Sequence, residues 1–247
     1  MIENTILYTP PRFFEELIIQ ASSYKGKADI EFVHTDAAHS MSADIATVCE
    51  VLRRRPDSVC FACNDYMMLI YATAVEILKK EIPLMGASLR CFQITQNKVA
   101  CRDLCAPSDD IHYKAVLASD EYLPDLGTNG IFKPLAGTGS YGVLKYHTGV
   151  LTENPFHQSR PSAYNFLGID ISLLDNDIIR DMTLQYEELH PYFDSESITV
   201  GIVEEYINPS SRKATVAMDG FVWEGHIYHF AISDNVWSYQ NSLIMVL

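Results

Sequence analysis

The stretch Phe132-Lys133-Pro134-Leu135-Ala136-Gly137-Thr138-Gly139-Ser140-Tyr141-Gly142-Val143 decides how the rest of this chain is interpreted. A lysine follows the strand-like residues 130–132, three glycines come next, and the chain then returns to an extended pattern over 143–146. Glycine tolerates positive φ and has no Cβ, so neighbouring backbone N–H groups can point together toward an anion. The stretch therefore predicts a flexible flap over a nucleoside triphosphate, with Lys133 as a point charge for phosphate.

Several known glycine motifs compete for this loop, and each lacks a required feature. The spacing Gly137-x-Gly139-x-x-Gly142 matches the dinucleotide-binding fingerprint, but that motif needs a helix to begin at the loop. The residues after Gly142 are β-branched, aromatic and apolar, which disfavours a helix. A protein-kinase loop would require His-Arg-Asp and Asp-Phe-Gly strings downstream, and the chain has neither. A hydrolase nucleophile elbow would need glycine at position 138, and the Gly-Lys-Ser/Thr of a P-loop is missing.

Two further segments accompany the glycine-rich loop in a recognisable order. Upstream, residues 86–88 read Gly-Ala-Ser and are followed by Asn97-Lys98, Arg102 and Leu104 on a predicted helix. Downstream, residues 202–207 read Ile-Val-Glu-Glu-Tyr-Ile and are predicted to form a strand. The loop and these segments together resemble the ATP-grasp superfamily, whose lid carries a Lys-Pro-x-x-Gly-x-Gly-Ser-x-Gly-Val type sequence. The resemblance covers residues 55–235, and its nearest branch is that of the amino-acid or peptide ligases.

The resemblance implies an ATP-dependent carboxylate–amine ligase that works through an acyl-phosphate intermediate. It implies that two lysines bind phosphate groups, that the loop forms a flap over them, and that the Glu-Glu-x-Ile strand holds adenine. The expected cofactors are ATP and Mg²⁺, with Mg²⁺ ligands mostly beyond this chain, and the expected substrates are a small carboxylate and a small amine. No catalytic residue and no metal ligand is assigned. The expected nucleotide-binding residues are Lys98, Lys133, Gly137, Gly139, Ser140, Gly142, Glu204, Glu205 and Ile207.

Other interpretations of the same residues stay open on the sequence alone. Lys133 could be a solvated strand-end lysine, Lys98 a surface charge, and Glu204 a solvent-facing residue on an edge strand. The protein could also be a non-catalytic ATP-grasp-like module that regulates or completes a partner, or an α/β interaction protein with a chance glycine loop. No Glu-x-Asn follows Tyr206, where the family's Mg²⁺ ligands are expected. We therefore expect no ATP turnover by this chain alone, and we expect a homodimer or a completing subunit to cover the apolar tail Leu243–Leu247.

The composition argues against two classes of partner, nucleic acids and membranes. The 247-residue chain carries a formal net charge of −14 and has a pI near 4.9, which argues against nucleic acid because its phosphates would be repelled. No run approaches about 18 apolar residues, and the N-terminus lacks a basic-then-apolar signal. We therefore expect no membrane association and a cytoplasmic location. Cys60-x-x-Cys63 lies in a predicted buried strand, and His226-x-x-His229 would face opposite sides of a strand, so neither pair predicts a metal site.

Alternating patterns along the chain predict an α/β fold that begins with a parallel sheet covered by helices. An ATP-grasp lid subdomain and the first antiparallel strands of a second ATP-grasp lobe are expected to follow. The predicted domains are 1–112, 113–200 and 201–247, of which the last is incomplete. Predicted helices cover 11–21, 43–54, 67–80 and 173–189. Predicted strands cover 4–8, 30–34, 59–62, 114–117, 130–134, 143–147, 199–207, 213–218, 220–223 and 226–232.

Overall fold

The chain divides into two compact units, residues 1–205 and residues 206–247, and each is described by itself. The structure is a computed structural model. It describes residues 4–8, 29–33, 40–62, 65–82, 86, 88–104, 111–135, 142–157, 165–166, 169–170, 176–192, 198–207, 215–223, 225–237 and 243–245. The predicted helix over 11–21 lies outside these residues. No helix among them is long and apolar enough to cross a membrane.

The first unit begins with a sheet of three parallel strands in the order β2-β1-β3. Helix α1 follows β2 and helix α2 follows β3, so that strands and helices alternate along this part of the chain. Parallel neighbours need such crossover connections. The mixed α/β organisation agrees with the predicted class. The elements are β1 (Asn4–Tyr8), β2 (Asp29–Val33), α1 (Met41–Arg54), β3 (Val59–Ala62) and α2 (Asp65–Leu78).

The two helices bury different fractions of their surface, and their sequences explain the difference. Helix α1 is amphipathic, with Ile45, Val48 and Leu52 buried at helical spacing on one face. The Ser40 side chain caps α1 by accepting the Ala43 N–H at 3.3 Å. Helix α2 has an almost continuous apolar sequence and is buried on nearly every side. Both helices contribute to the largest core, which also includes residues of the next helix, α3 (Leu89–Gln96).

A second, antiparallel sheet follows, with strands in the order β4-β9-β5-β6. Its own core is formed by Val116, Phe132, Tyr146, Val200 and Val203. Strand β9 lies between β4 and β5, and its residues are buried up to position 204. The strands are β4 (Tyr113–Leu117), β5 (Gly130–Pro134), β6 (Leu144–Tyr146) and β9 (Thr199–Glu205).

Strands β5 and β6 lie on the two sides of the glycine-rich segment and pair with each other in antiparallel fashion. The predicted arrangement of two strands around this segment is therefore confirmed. Residues 136–141 lie outside the described residues, and Gly142, just before β6, has a φ of +69°. Because β6 begins at Leu144 as a strand, the helix that a dinucleotide fingerprint requires does not follow Gly142.

The prediction of one long helix over 173–189 is wrong. The Asn176 side chain caps a short helix, and the Leu184 N–H bonds back to the Arg180 carbonyl at 2.9 Å, where that helix ends. A separate 3₁₀ helix follows and contains Pro191, which has no N–H to continue an α-helical ladder. The elements of this region are β7 (Asn165–Phe166), β8 (Ile169–Asp170), α5 (Asp177–Thr183) and the 3₁₀ helix (Glu187–Tyr192).

The second unit contains an antiparallel sheet in the order β10-β11-β12. The strands are β10 (Thr215–Trp223), β11 (His226–Trp237) and β12 (Leu243–Met245). The two strands predicted over 213–218 and 220–223 are one strand, because a bulge between Asp219 and Gly220 bends the pairing without ending it. The packing partners of the apolar tail were expected further along a longer chain or on a second subunit. Its residues 243–245 pair with β11 in this chain, and the expected subunit stays a prediction. The predicted three-domain division remains a prediction.

Gly201→Ala should destabilise the second sheet of the first unit. An added Cβ would lie 2.4 Å from Phe132 Cε2 and 2.7 Å from the backbone oxygen of Lys133, and the backbone cannot move aside without disturbing the β5–β9 ladder. We expect a loss of about 1–3 kcal/mol in the free energy of unfolding, measured by urea denaturation. Ser119→Ala, on the exposed turn after β4, is the control and should change little. Equal stability of the two variants would contradict the packing at Gly201.

Candidate functional site

A buried glutamate with two cationic partners forms the centre of the site. Glu204 lies near the end of β9, and its side chain is only 6% exposed. Arg102 Nε donates a hydrogen bond to Glu204 Oε1 at 2.6 Å, and Lys133 Nζ donates one to Oε2. Each carboxylate oxygen therefore has its own charged donor, which is what a buried charge requires.

The register of the sheet explains why Lys133 reaches Glu204. On β5, Ile131 lies directly opposite Glu204, and Lys133 lies opposite Ile202. Residues two positions apart on a strand share a face, so Lys133 is a diagonal neighbour of Glu204 on the same face of the sheet. Lysine is long enough to span that diagonal.

Helix α4 (Lys98–Leu104) brings the second cation and a further lysine to the same place. The Asn97 side-chain oxygen caps the helix by accepting the N–H groups of Val99 at 3.1 Å and Ala100 at 2.9 Å. The Lys98 N–H donates to the Leu135 carbonyl at 3.0 Å, which ties the start of the helix to the end of β5. Lys98 and Arg102 are four residues apart and therefore lie on one face of the helix.

Lys98 lies in the same electrostatic neighbourhood as the other two residues. Burial lowers the pKa of Lys98, and the positive charge of Lys133 lowers it further, while the carboxylates of Asp65 and Glu204 oppose the shift. Asp65 is the first residue of α2, which the Tyr66 hydroxyl ties to α1 by a 2.6 Å hydrogen bond to Asp44. Two lysines thus concentrate positive charge at the end of β5, where the glycine-rich segment begins, and this arrangement can attract an anion such as phosphate.

The pKa of Glu204 reflects a balance between burial and its partners. Burial alone would raise it, but the hydrogen bonds and positive charges of Arg102 and Lys133 outweigh burial, so the pKa of Glu204 lies below its ordinary value. Glu204 is therefore a carboxylate at neutral pH. The alternative of a solvent-facing glutamate on an edge strand is wrong, because β9 has a neighbour on each side and Glu204 is buried.

The structure brings Lys98, Lys133 and Glu204 together, but it does not do so for every expected residue. Glu205 is half-buried, follows Glu204 on β9 and so points to the opposite face, and its N–H donates to the His112 carbonyl at 2.9 Å. Ile207 is exposed and belongs to the second unit. Gly142 is exposed. The remaining expected residues, Gly137, Gly139 and Ser140, lie outside the described residues.

Two residues of the cluster were missed as functional residues. Arg102 was noted only as part of a helix pattern, although its spacing of four from Lys98 is the signal that places both on one face. Asp65 carries no such signal, since its proximity to Lys98 arises only when the fold brings α2 and α4 into the same unit.

The described residues offer no ready metal centre. No group of three or more His, Cys, Asp or Glu side chains among them is arranged to hold a metal ion. Cys60 is half-buried and is not part of a disulfide, and Cys63 lies outside the described residues. The described part of the chain therefore supplies cations for an anionic ligand.

Glu204→Gln should destabilise the protein at neutral pH and have no such effect in acid. The folded-state pKa of Glu204 is lower than the unfolded one, so its stabilisation is complete above the ordinary carboxyl pKa and is lost as pH falls through the folded value. We expect a cost of about 1–3 kcal/mol at pH 7, reduced by the partial exposure of Arg102 and Lys133. Urea denaturation from pH 3 to pH 8 measures it.

The matched control is Glu81→Gln, which removes an exposed ion pair with Arg53. This variant should follow the wild type at every pH, because exposed pairs contribute little. A difference between wild type and Glu204→Gln that stayed constant down to pH 3 would contradict the assigned ion pairs.

Comparison with known proteins adds one finding about the fold. No protein-family model and no curated protein matches the chain. Among solved structures, the chain is similar to an L-amino acid ligase from Bacillus licheniformis, with a TM-score of 0.51 and 14% sequence identity. The similarity covers 97% of this chain and 52% of the ligase, so the chain spans about half the length of that protein. At this level of identity the likeness concerns the fold: the chain is similar in fold to part of an L-amino acid ligase.

Proposed function

We propose that this chain is the ATP-binding part of an ATP-dependent carboxylate–amine ligase of the ATP-grasp superfamily. The observation that carries the proposal is the ion pair between Lys133 and Glu204, with Lys98 near enough for both charges to act on its pKa. The three residues come from three separate segments of the sequence, each of which resembles a different ATP-grasp motif. The likeness in fold to an L-amino acid ligase supports the same function.

In this proposal the two lysines bind the phosphate groups of ATP. Lys133 precedes the glycine-rich segment 136–142 by a few residues, so a phosphate group at Lys133 would also be within reach of backbone N–H groups of that segment. Lys98 adds a second positive charge. It lies close enough to Lys133 for the charge of Lys133 to lower the pKa of Lys98. Gly137, Gly139, Ser140 and Gly142 would form the flap that excludes water from the phosphates.

The adenine ring would be held at the end of β9. The Glu204 carboxylate can accept a hydrogen bond from the exocyclic amine, and backbone groups at Glu205 would read the edge of the ring. Glu204 suits this role because it is ionised and fixed, so its oxygens are acceptors at neutral pH.

The reaction follows from the class of enzyme. A carboxylate oxygen attacks the γ-phosphate of ATP and displaces ADP, which gives an acyl phosphate. An amine then attacks the acyl carbon, loses a proton and displaces inorganic phosphate, which leaves the amide bond. The protein contributes mainly the placement of reactants and compensation of charge. The similar ligase acts on L-amino acids, as its name states, so an amino acid is the proposed carboxylate or amine substrate. Mg²⁺ stays a prediction from the resemblance, because the described residues do not supply its ligands.

Lys133→Ala should weaken ATP binding. A charge-assisted lysine–phosphate contact in a partly buried site contributes on the order of 2 kcal/mol, so we expect the Kd to rise roughly thirtyfold. Isothermal titration with ATP and Mg²⁺ measures the change. The control is Lys114→Ala, which removes an exposed lysine of the same unit that bonds to the Asp125 carbonyl.

Lys98→Ala should weaken ATP binding less than Lys133→Ala does. Lys133 lies just before the glycine-rich segment, whereas Lys98 is joined to this region through the bond from its backbone N–H to the Leu135 carbonyl, so we expect Lys98 to supply the second charge and not the main phosphate contact. An unchanged Kd in both lysine variants would remove the nucleotide site from the cluster around Glu204.

An assay of phosphate release from ATP distinguishes catalysis from nucleotide binding alone. An active ligase should release phosphate only when a carboxylate and an amine are both present, and screening L-amino acids in pairs would identify them. ATP binding without phosphate release by any pair would favour the non-catalytic nucleotide-binding module. Absence of ATP binding would favour an α/β interaction protein.

A further inference from the structure

We propose that Arg102 is a positioning residue that holds the Glu204 carboxylate in place, and ionised, while Lys133 leaves that carboxylate to bind a phosphate group of the nucleotide. This inference rests on the proposed function, because it requires a nucleotide at Lys133. Arg102 itself need not touch the nucleotide.

The starting point is that Glu204 shares its charge between two cations. Arg102 holds Oε1 and Lys133 holds Oε2, and the 6% exposed side chain has little access to water. A phosphate group that draws Lys133 away therefore leaves Oε2 without its charged donor. The carboxylate stays ionised in a buried position only if the remaining cation keeps its place.

The helix that carries Arg102 is tied to its surroundings at both ends. Arg102 lies on α4, whose start is capped by Asn97. The next residue, Asp103, accepts hydrogen bonds from the hydroxyl groups of Tyr113, at 2.6 Å, and Tyr192. These bonds tie the last turn of α4 to β4 and to the 3₁₀ helix. They hold the backbone from which the Arg102 side chain reaches Glu204.

Lys133 is the partner of Glu204 that an anion can draw away. It precedes the glycine-rich segment and shares the single charge of Glu204 with Arg102. Lys98 lies close enough for its charge and that of Lys133 to repel each other. A phosphate group that contacts Lys133 therefore also reduces this repulsion.

The other charged and titratable groups near Glu204 do not replace Arg102. On α4 these groups are Lys98 and Asp103, and Asp103 is occupied by two tyrosine hydroxyls. On β4, Tyr113 lies opposite Glu204 in the register and donates to Asp103. On β5, the charged neighbour is Lys133 itself. Asp65 of α2 acts on Lys98 and would repel Glu204.

The consequence is a coupling between nucleotide binding and protonation that appears only when Arg102 is removed. In Arg102→Gln, phosphate and Glu204 compete for Lys133. At high pH Glu204 is ionised, so binding must break its last ion pair. At low pH Glu204 takes up a proton and releases Lys133, and the cost of binding disappears.

The test is the pH dependence of ADP affinity, measured by isothermal titration from pH 5.5 to pH 8 in the full chain. Relative to the wild type at each pH, Arg102→Gln should bind ADP about tenfold more weakly at pH 8 and approach wild-type affinity at pH 5.5. Arg102→Lys keeps the charge and should recover most of the affinity at pH 8. The matched control is Arg90→Gln, which removes an exposed pair with Glu188 and should match the wild type throughout.

A second measurement reports on Glu204 directly, and its wild-type part does not depend on whether Arg102→Gln folds. In wild-type protein with ¹³C-labelled glutamate, the carboxyl resonance of Glu204 should remain that of an ionised group at pH 7 when ADP is bound. In Arg102→Gln it should shift to that of a protonated group as ADP binds. A protonated Glu204 in the wild-type complex would overturn the inference.

The outcomes separate this inference from the proposed function. If wild type binds ADP and Lys133→Ala weakens binding, but Arg102→Gln behaves as Arg90→Gln does at every pH, only the role of Arg102 is overturned. A weakening in Arg102→Gln that is the same at every pH would also overturn it, because that would be a merely structural effect. If the wild type binds no nucleotide, both the proposed function and this inference are overturned.

Discussion

The shared ion pair of Glu204 with Arg102 and Lys133 is the constraint on which the arrangement of this region depends. A carboxylate buried to this extent must be compensated, and its two partners lie 102 and 71 residues away along the chain. Meeting that requirement fixes α4 against one end of the second sheet and fixes the register of β5 on β9. The Asn97 cap and the bond from the Lys98 N–H to the Leu135 carbonyl hold the same placement from the backbone.

The acidic chain gathers basic side chains at one place. The chain carries −14 overall, yet Arg102 and Lys133 meet at the buried Glu204 carboxylate, and Lys98 lies near Lys133. The field that a small anion meets is set by the nearest charges, because more distant surface charges are screened by salt within about 10 Å. An acidic protein can thus present basic side chains to a small anion, since Arg102 and Lys133 stay partly exposed while Glu204 is buried.

Local patterns predicted most helices and strands in the described residues, and the errors have identifiable causes. The strands 59–62 and 130–134 match the structure at both ends, because their apolar residues and bounding turns are adjacent in the sequence. The long helix over 173–189 failed because Asn176 and Pro191 impose a start and a change of helix type that the apolar spacing does not reveal. The division of β10 failed because a bulge tolerates Gly220 within a continuous strand.

By itself, the sequence determined which residue types were available and where local elements form: a lysine before three glycines between two strands, a capped helix that begins at Lys98, and a Glu-Glu strand. Tertiary structure alone decided that Glu204 is buried on a central strand and is shared by Arg102 and Lys133, and that Asp65 lies near Lys98. The physical reason is that local patterns act over a few residues, whereas strand register and helix packing set distances between segments. The ionisation of Glu204 and the proposed exchange of Lys133 from Glu204 to a phosphate group depend on those distances.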